Sequence, residues 1–416
     1  MFATNLCCLD CGELFPIMNT YKCVKCEGAL EVVYDYGLIM AEIDYMALLK
    51  NVGLGLARYF PLLPLEAPKQ MISLGEGGTQ LLMATNTNLL ENLPKLYLKN
   101  ESTNPTGSFK DRPLSIAASK AKELGIETLI IASSGNAGAA AAAYAAKGGL
   151  HCVVLVPAKT PSAKISQTLA YGAEVIRVNG SYSDCFQLAM ITSQERSFAN
   201  VSTTYLNPYN LEGDKTIAYE IFFQLGSLVP DILVVPIGAG PLLAGLYKGF
   251  QELRRLGLCD KTPSMVGVQA EGCAPIVRAF DMGLKIAEPW GEVKTLASAI
   301  ADPLHGYERD STYTLNPIRK SKGKAIAVSD EEILSACSEL ARCEGLFLEP
   351  TAATTFAAVR RLTQEGWLHS DDIVVLVVTG HGLKDPMHSS HEQVETPVIE
   401  PNLQQLEKYI KKEYIK

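Results

Sequence analysis

The chain of 416 residues is poor in positive charge and in long apolar runs, and it begins without a leader-like segment. Its 37 Lys and Arg are outnumbered by 45 Asp and Glu, for a net charge of −8. That balance excludes the basic footprint of a nucleic-acid binder or of a protein held on anionic lipid. The longest weakly charged stretch, ILVVPIGAGPLLAGLY at 232–247, is interrupted by Gly and Pro and is too short to span a bilayer. The first residues, MFATNLCCLD, lack a basic segment followed by an apolar core, so no secretory signal is expected. Low-complexity tracts and internal repeats are absent, and with 47% hydrophobic and 20% charged residues most of the chain has the composition of a folded globular protein. The 11 cysteines are odd in number and do not form the framework of a disulfide-stapled small domain. Reduced thiols in a cytoplasmic protein of two or three domains are the expectation.

Four cysteines break the scatter. CLDC (8–11) and CVKC (23–26) are two CxxC pairs 11 residues apart, with Cys7 left over. Pairs at this spacing can converge on one tetrahedral ion, and Cys8, Cys11, Cys23 and Cys26 are the expected ligands of zinc. Four thiolates leave no open coordination position, so the ion would be structural. A ribbon of residues 1–34 has little core of its own, and a metal would supply its stability.

From about residue 75, apolar runs alternate with helix-like runs. Buried strands are expected within 93–100, 127–134, 150–158, 173–180, 230–238, 264–272 and 371–380. Helices ending in Gly are expected at 118–125, 137–149, 163–172, 216–226 and 243–257. Strands rich in β-branched residues without alternation, each followed by a helix, indicate an α/β fold with parallel sheets covered on both faces. The tail 398–416 reads as a short amphipathic helix.

In such folds ligands bind at the carboxyl ends of strands, which puts the following loops first. ASSGNAGAAAAAYAA (132–146) runs from a strand into an alanine-rich helix. Its small residues serve either close helix-on-sheet packing or an anion at the helix's first amides. VVPIGAGPLLAGLYKGF (234–250) lacks the third glycine of GxGxxG, where Leu243 stands, and lacks the lysine and hydroxyl of a P-loop. What remains is a turn able to hold one phosphate at a helix start. VVLVVTGHGLKDP (374–386) puts Thr379 at the end of a buried strand, where its hydroxyl needs a partner: a ring nitrogen, or the backbone of its own turn. NPTGSFKDRP (104–113) sets Lys110 just after a glycine turn. A phosphate cradle, an asparagine loop, a strand-end hydroxyl and a placed lysine together fit a phosphorylated ring compound held as an imine, and pyridoxal 5′-phosphate meets each requirement.

NPTGSFKDR, SSGNAG, GAGPLLAG and TGHGLKD resemble, in order and spacing, the β-family (fold type II) of pyridoxal-phosphate enzymes. Within it, LGEGGTQL (74–81) and NPYNLEGDKT (207–216) are similar to blocks of the threonine synthases. The similarity runs from 74 to about 386, and the segment 26–36 resembles an N-terminal extension of some branches. The resemblance implies two α/β domains of tryptophan-synthase-β-like architecture. A large cofactor domain would comprise 35–105 and 206–386, a smaller domain 106–205, and a helical tail 387–416. It implies that Lys110 carries the cofactor and moves protons between substrate carbons, and that Asn136 bonds the phenolic oxygen. It places Gly238, Ala239, Gly240, Pro241 and Leu242 around the phosphate and Thr379 at the pyridine nitrogen. Ser133, Ser134 and Ala137 would receive the substrate carboxylate. A homodimer is the family's habit.

The chain departs from the usual NPxRxEGQKT at Asn210 and Asp214, and also at Pro113, Leu114 and Gln80. Asn210 and Lys215 are expected substrate contacts, but Asn210 lacks the fork that helps hold the phosphate of O-phosphohomoserine, so either the leaving group is not a phosphate or another residue such as Lys215 or Lys164 holds it. The expected reaction is γ-elimination of phosphate from that substrate and addition of water. The alternative is β-replacement or elimination on another amino acid, as in cysteate synthase or a serine/threonine dehydratase. A reading of a different class makes the ribbon the working part, on an enzyme fold that has lost activity; the intact Lys110, Asn136 and glycine turn oppose it.

Overall fold

The computed structural model describes residues 1–43, 52–93, 95–385 and 397–410. Within them, 13 strands form three sheets. The largest contains β4 (Leu81–Met83), β5 (Leu96–Asn100), β10 (Ile232–Pro236), β11 (Ser264–Ala270), β12 (Lys324–Val328) and β13 (Val374–Val378), in the order β12-β11-β10-β13-β5-β4. Five of its strands run parallel, while β4 pairs antiparallel with β5 at the edge. The central strands ILVVP and VVLVV are buried at every position, which explains their unalternated sequences. The second sheet is fully parallel, in the order β8-β7-β6-β9, from β6 (Thr128–Ala132), β7 (His151–Pro157), β8 (Glu174–Val178) and β9 (Ala199–Asn200).

Every strand expected from β-branched runs is present. The segment between 272 and 371, for which no element was expected, contains β12 and the helices Pro275–Asp281, Asp310–Lys320, Asp330–Glu344 and Pro350–Gln364. The helix expected at 118–125 begins earlier, at Asp111. Pro113 falls in its first turn, where the missing N–H has no helical acceptor to lose. Of the expected tail, Leu403–Glu407 is helical, while 387–396 and 411–416 lie outside the described residues.

The third sheet is the ribbon, antiparallel in the order β2-β1-β3, from β1 (Ala3–Cys8), β2 (Leu14–Phe15) and β3 (Leu30–Tyr34). Its buried Leu6, Leu30 and Val32 join the same apolar cluster as Leu206, Ile217 and Leu233, so it borrows the core of the larger body. Among the described residues, no helix is long and apolar enough to cross a membrane.

Candidate active site

The carboxyl ends of β6, β10 and β13 open into one cleft of about 300 Å³. Its wall includes Lys110, Ser133, Ser134, Asn136, Ala137, the turn Gly238–Leu242 and Thr379. Every cofactor-binding residue expected from the sequence therefore meets in one place, as do three of the expected substrate residues. Backbone pairing explains why residues so far apart in sequence converge. The amide of Phe109 donates to the carbonyl of Thr379 at 2.9 Å, and that of His381 to the carbonyl of Gly107 at 3.0 Å. The lysine turn is thus laid along the end of β13. Asp111 closes the turn by accepting from the amide and hydroxyl of Thr106 at 2.8 and 3.0 Å.

The Lys110 amine donates to the Thr203 hydroxyl at 2.7 Å and lies 4.5 Å from the Phe109 ring centre. Burial pushes it down to about 8, against the opposing pull of Asp214, Glu349 and Asp302. A lysine depressed this far has a usable neutral fraction near neutral pH, as a carbonyl-capturing amine requires. Thr203, in the loop after β9, gave no signal in the sequence beyond standing just ahead of the NPYN block.

Asn136 begins the helix Asn136–Gly148 and donates to both carboxyl oxygens of Glu349 at 3.1 and 3.0 Å. Burial raises Glu349 to about 7, partly countered by that amide. Asp302 closes the glycine turn from the other side, accepting from the Leu304 amide at 3.0 Å and the Tyr307 hydroxyl at 2.7 Å. Burial raises it above the usual carboxylate range. Sequence reasoning missed both acids.

The cleft's chemistry fits pyridoxal phosphate. The Thr379 hydroxyl is buried in the cleft wall and has no hydrogen-bond partner among the described residues, a gap that a ligand acceptor such as a ring nitrogen would fill. Gly240 has φ +95, and a β-carbon there would lie 2.3 Å from the Thr314 hydroxyl oxygen. The turn is therefore limited to glycine. The next residue, Pro241, starts a 15-residue helix whose amino end faces the cleft.

Two expected substrate residues are not in the wall. Asn210 is buried and donates to the Ser202 carbonyl at 2.9 Å. Lys215 is fully buried between Glu212 at 2.6 Å and Glu252 at 3.0 Å. Among the described residues, the cations in the wall apart from Lys110 are Lys164 and Lys384. Lys164 donates to Ser298 at 3.1 Å and pairs with Asp385 at 3.2 Å; Lys384 donates to the Thr106 carbonyl at 3.1 Å and to Gln167.

The four ribbon thiols also meet. All four sulfurs lie within 4.8 Å of one another, with Cys8 to Cys26 at 3.4 Å and Cys11 to Cys23 at 3.6 Å. Sulfurs around a tetrahedral zinc lie about 3.8 Å apart, so the cluster has the right size for that ion. Each CxxC closes as a knuckle, with Gly12 donating to the Cys8 carbonyl at 3.0 Å and Glu27 to that of Cys23 at 2.8 Å.

The family model described as pyridoxal-phosphate dependent enzyme matches residues 72–380. The chain is 38% identical over 405 residues to the threonine synthase of Methanocaldococcus jannaschii, covering 97% of this chain and 98% of that one. It is 40% identical over 402 residues to the threonine synthase of Methanosarcina acetivorans, covering 96% of each. Among solved structures, a fungal L-serine ammonia-lyase from Rhizomucor miehei superposes with a TM-score of 0.62 at 22% identity, over 73% of this chain and 93% of that one. This last likeness speaks for the fold alone.

Proposed function

The chain belongs to the pyridoxal-phosphate-dependent enzymes, with the α/β architecture of fold type II, and we propose that within this family it is a threonine synthase acting on O-phosphohomoserine. The observation that carries the reading is the meeting of the depressed Lys110 amine, the Gly238–Leu242 turn and the unpartnered Thr379 hydroxyl in one cleft.

Pyridoxal phosphate supplies an electron sink for negative charge developing beside the amino group of a bound amino acid. The chain's own part is positioning and proton handling. The Gly238–Leu242 turn holds the cofactor phosphate, and Thr379 gives its ring nitrogen a neutral partner. A hydroxyl there suits elimination and replacement better than transamination, because it does not hold the ring protonated as a carboxylate would. Asn136, oriented by Glu349, would bond the phenolic oxygen. Ser133, Ser134 and the first amides of the helix Asn136–Gly148 receive the substrate carboxylate. The Lys110 amine, held on the cleft side by Thr203, would move protons between neighbouring substrate carbons.

The substrate's own phosphate needs a cation. Lys164 is the candidate, since Asn210 and Lys215 are engaged away from the wall, and its side chain is 27% exposed. With O-phosphohomoserine, the enzyme is expected to release phosphate and form threonine in equal amounts. Lys164→Ala is expected to raise KM for that substrate about tenfold or more, with a smaller change for serine. Turnover of serine or phosphoserine but not of phosphohomoserine would assign the chain instead to β-replacement or elimination.

We also propose that the ribbon holds one zinc ion on Cys8, Cys11, Cys23 and Cys26. Metal analysis of the purified protein is expected to give one zinc per chain, lost in the double variant Cys8→Ser, Cys23→Ser. A stoichiometry near zero in protein prepared without chelators would refute the site.

A further inference from the structure

The ribbon lies outside the cleft, yet it grips the helix that backs the phosphate turn. Asp10, inside the first CxxC, accepts from the Tyr313 hydroxyl at 2.6 Å and pairs with Arg309 at 2.6 Å. Arg309 also donates to the carbonyl of Cys26, in the second CxxC, at 2.6 Å. The Tyr313 hydroxyl in turn accepts from the amide of Ala29 at 3.0 Å. Both knuckles are thus tied to the start of the helix Asp310–Lys320.

That helix reaches the turn. The Tyr313 ring packs against Tyr205, with centroids 5.2 Å apart, and the two share an apolar cluster with Ala29, Leu211 and Ala244. The buried Tyr205 hydroxyl lies 3.2 Å from the Gly240 carbonyl and 2.8 Å from the Thr314 hydroxyl. Thr314 donates to the carbonyl of Ala239. Peptide planarity makes these contacts consequential: fixing the Ala239 carbonyl fixes the direction of the Gly240 N–H on the opposite edge of the same plane. Thr314 stands behind the turn, so that N–H is directed toward the cleft.

We propose that the cysteine ribbon is a positioning device for the phosphate turn, with Tyr313, Tyr205 and Thr314 carrying the constraint from the closed four-cysteine knuckles to the peptide 239–240. This rests on the preceding readings that the turn holds the cofactor phosphate and that zinc closes the ribbon. None of the three side chains need touch the cofactor. They act through the backbone that does.

The test compares full-length wild type with Tyr313→Phe and Tyr205→Phe, which keep the ring packing and lose only the hydroxyls. Lys324→Ala serves as the control, because it removes an ion pair with Glu365 that involves neither the ribbon nor the turn. Pyridoxal-phosphate affinity is read by titration, and amide exchange over 238–244 is read on cofactor-free protein. Both tyrosine variants are expected to bind the cofactor about tenfold more weakly and to exchange faster over 238–244, with zinc content unchanged. Stripping metal from wild type with EDTA under reducing conditions is expected to reproduce that shift, and to add little in Tyr313→Phe. Affinity and exchange equal to wild type in both tyrosine variants would overturn the proposal and leave the ribbon a purely structural element. Because exchange is measured without cofactor, it judges the relay even if wild type takes up no pyridoxal phosphate, a result that would strike the cofactor reading instead.

Discussion

Lys110→Ala is expected to take up no cofactor as a covalent imine, to lack the visible absorption band of that linkage, and to lose turnover by about 10⁴-fold or more. What decides this is where the amine sits. It is held in the cleft wall by Thr203, close to the glycine turn, and its environment pushes it down to about 8. At pH 7.4 roughly a fifth of such amines are neutral, against about one in a thousand for an ordinary lysine. The neutral form captures the aldehyde, so uptake by cofactor-free protein should climb steeply between pH 6 and 8 and level off above the folded-state value. An amine with an ordinary lysine value would go on gaining to pH 10. Lys110→Arg keeps the positive charge without a capturing amine, and it should fail as completely as alanine. Retention of the band in either variant would mean that another amine carries the cofactor.

The motifs that pointed to this lysine were legible because they are local. A glycine forced by a positive φ, a strand buried on both faces and a helix that begins after small residues each leave a trace within ten residues of sequence. β10 and β13 were readable for this reason. β12, KAIAV, was not, since alanine and an opening lysine dilute its apolar signal. Contacts made across the fold left no local trace. Thr203 reaches Lys110 over 93 residues, and Glu349 reaches Asn136 over 213. Two residues expected from motif similarity as substrate contacts, Asn210 and Lys215, do not reach the described wall of the cleft. Both lie in a buried layer where the demand on a polar group is to be paired. Lys215 meets it with Glu212 and Glu252, while Asn210 meets it only in part: its NH2 donates to the Ser202 carbonyl and its Oδ1 has no partner among the described residues.

Two residues after the lysine, Arg112 lies in that buried layer, and Arg112→Met is expected to destabilise the protein by ~3–5 kcal/mol. Its guanidinium is fully buried and forks onto Glu101 at 2.7 and 2.8 Å and onto Glu220 at 2.8 and 2.7 Å. Lys99 shares Glu220 at 2.6 Å. Burial alone would raise Glu220, but Arg112 and Lys99 hold it well below the usual carboxylate range. Methionine fills much of the volume while leaving two buried carboxylates to one lysine, and the loss is that uncompensated charge. In a chain of this size the melting temperature should fall by about 3–6 °C. Arg112→Lys should recover only part of it, because one ammonium cannot bridge both acids as the planar fork does. Adding Glu101→Gln to Arg112→Met should restore stability relative to Arg112→Met alone, because it removes one of the two stranded charges. Cofactor affinity should follow the same order, since Arg112 belongs to the first turn of the helix that Lys110 precedes and anchors that turn through Glu101 to the end of β5. A melting temperature within a degree of wild type in Arg112→Met would show that the network is not what holds the lysine turn in place.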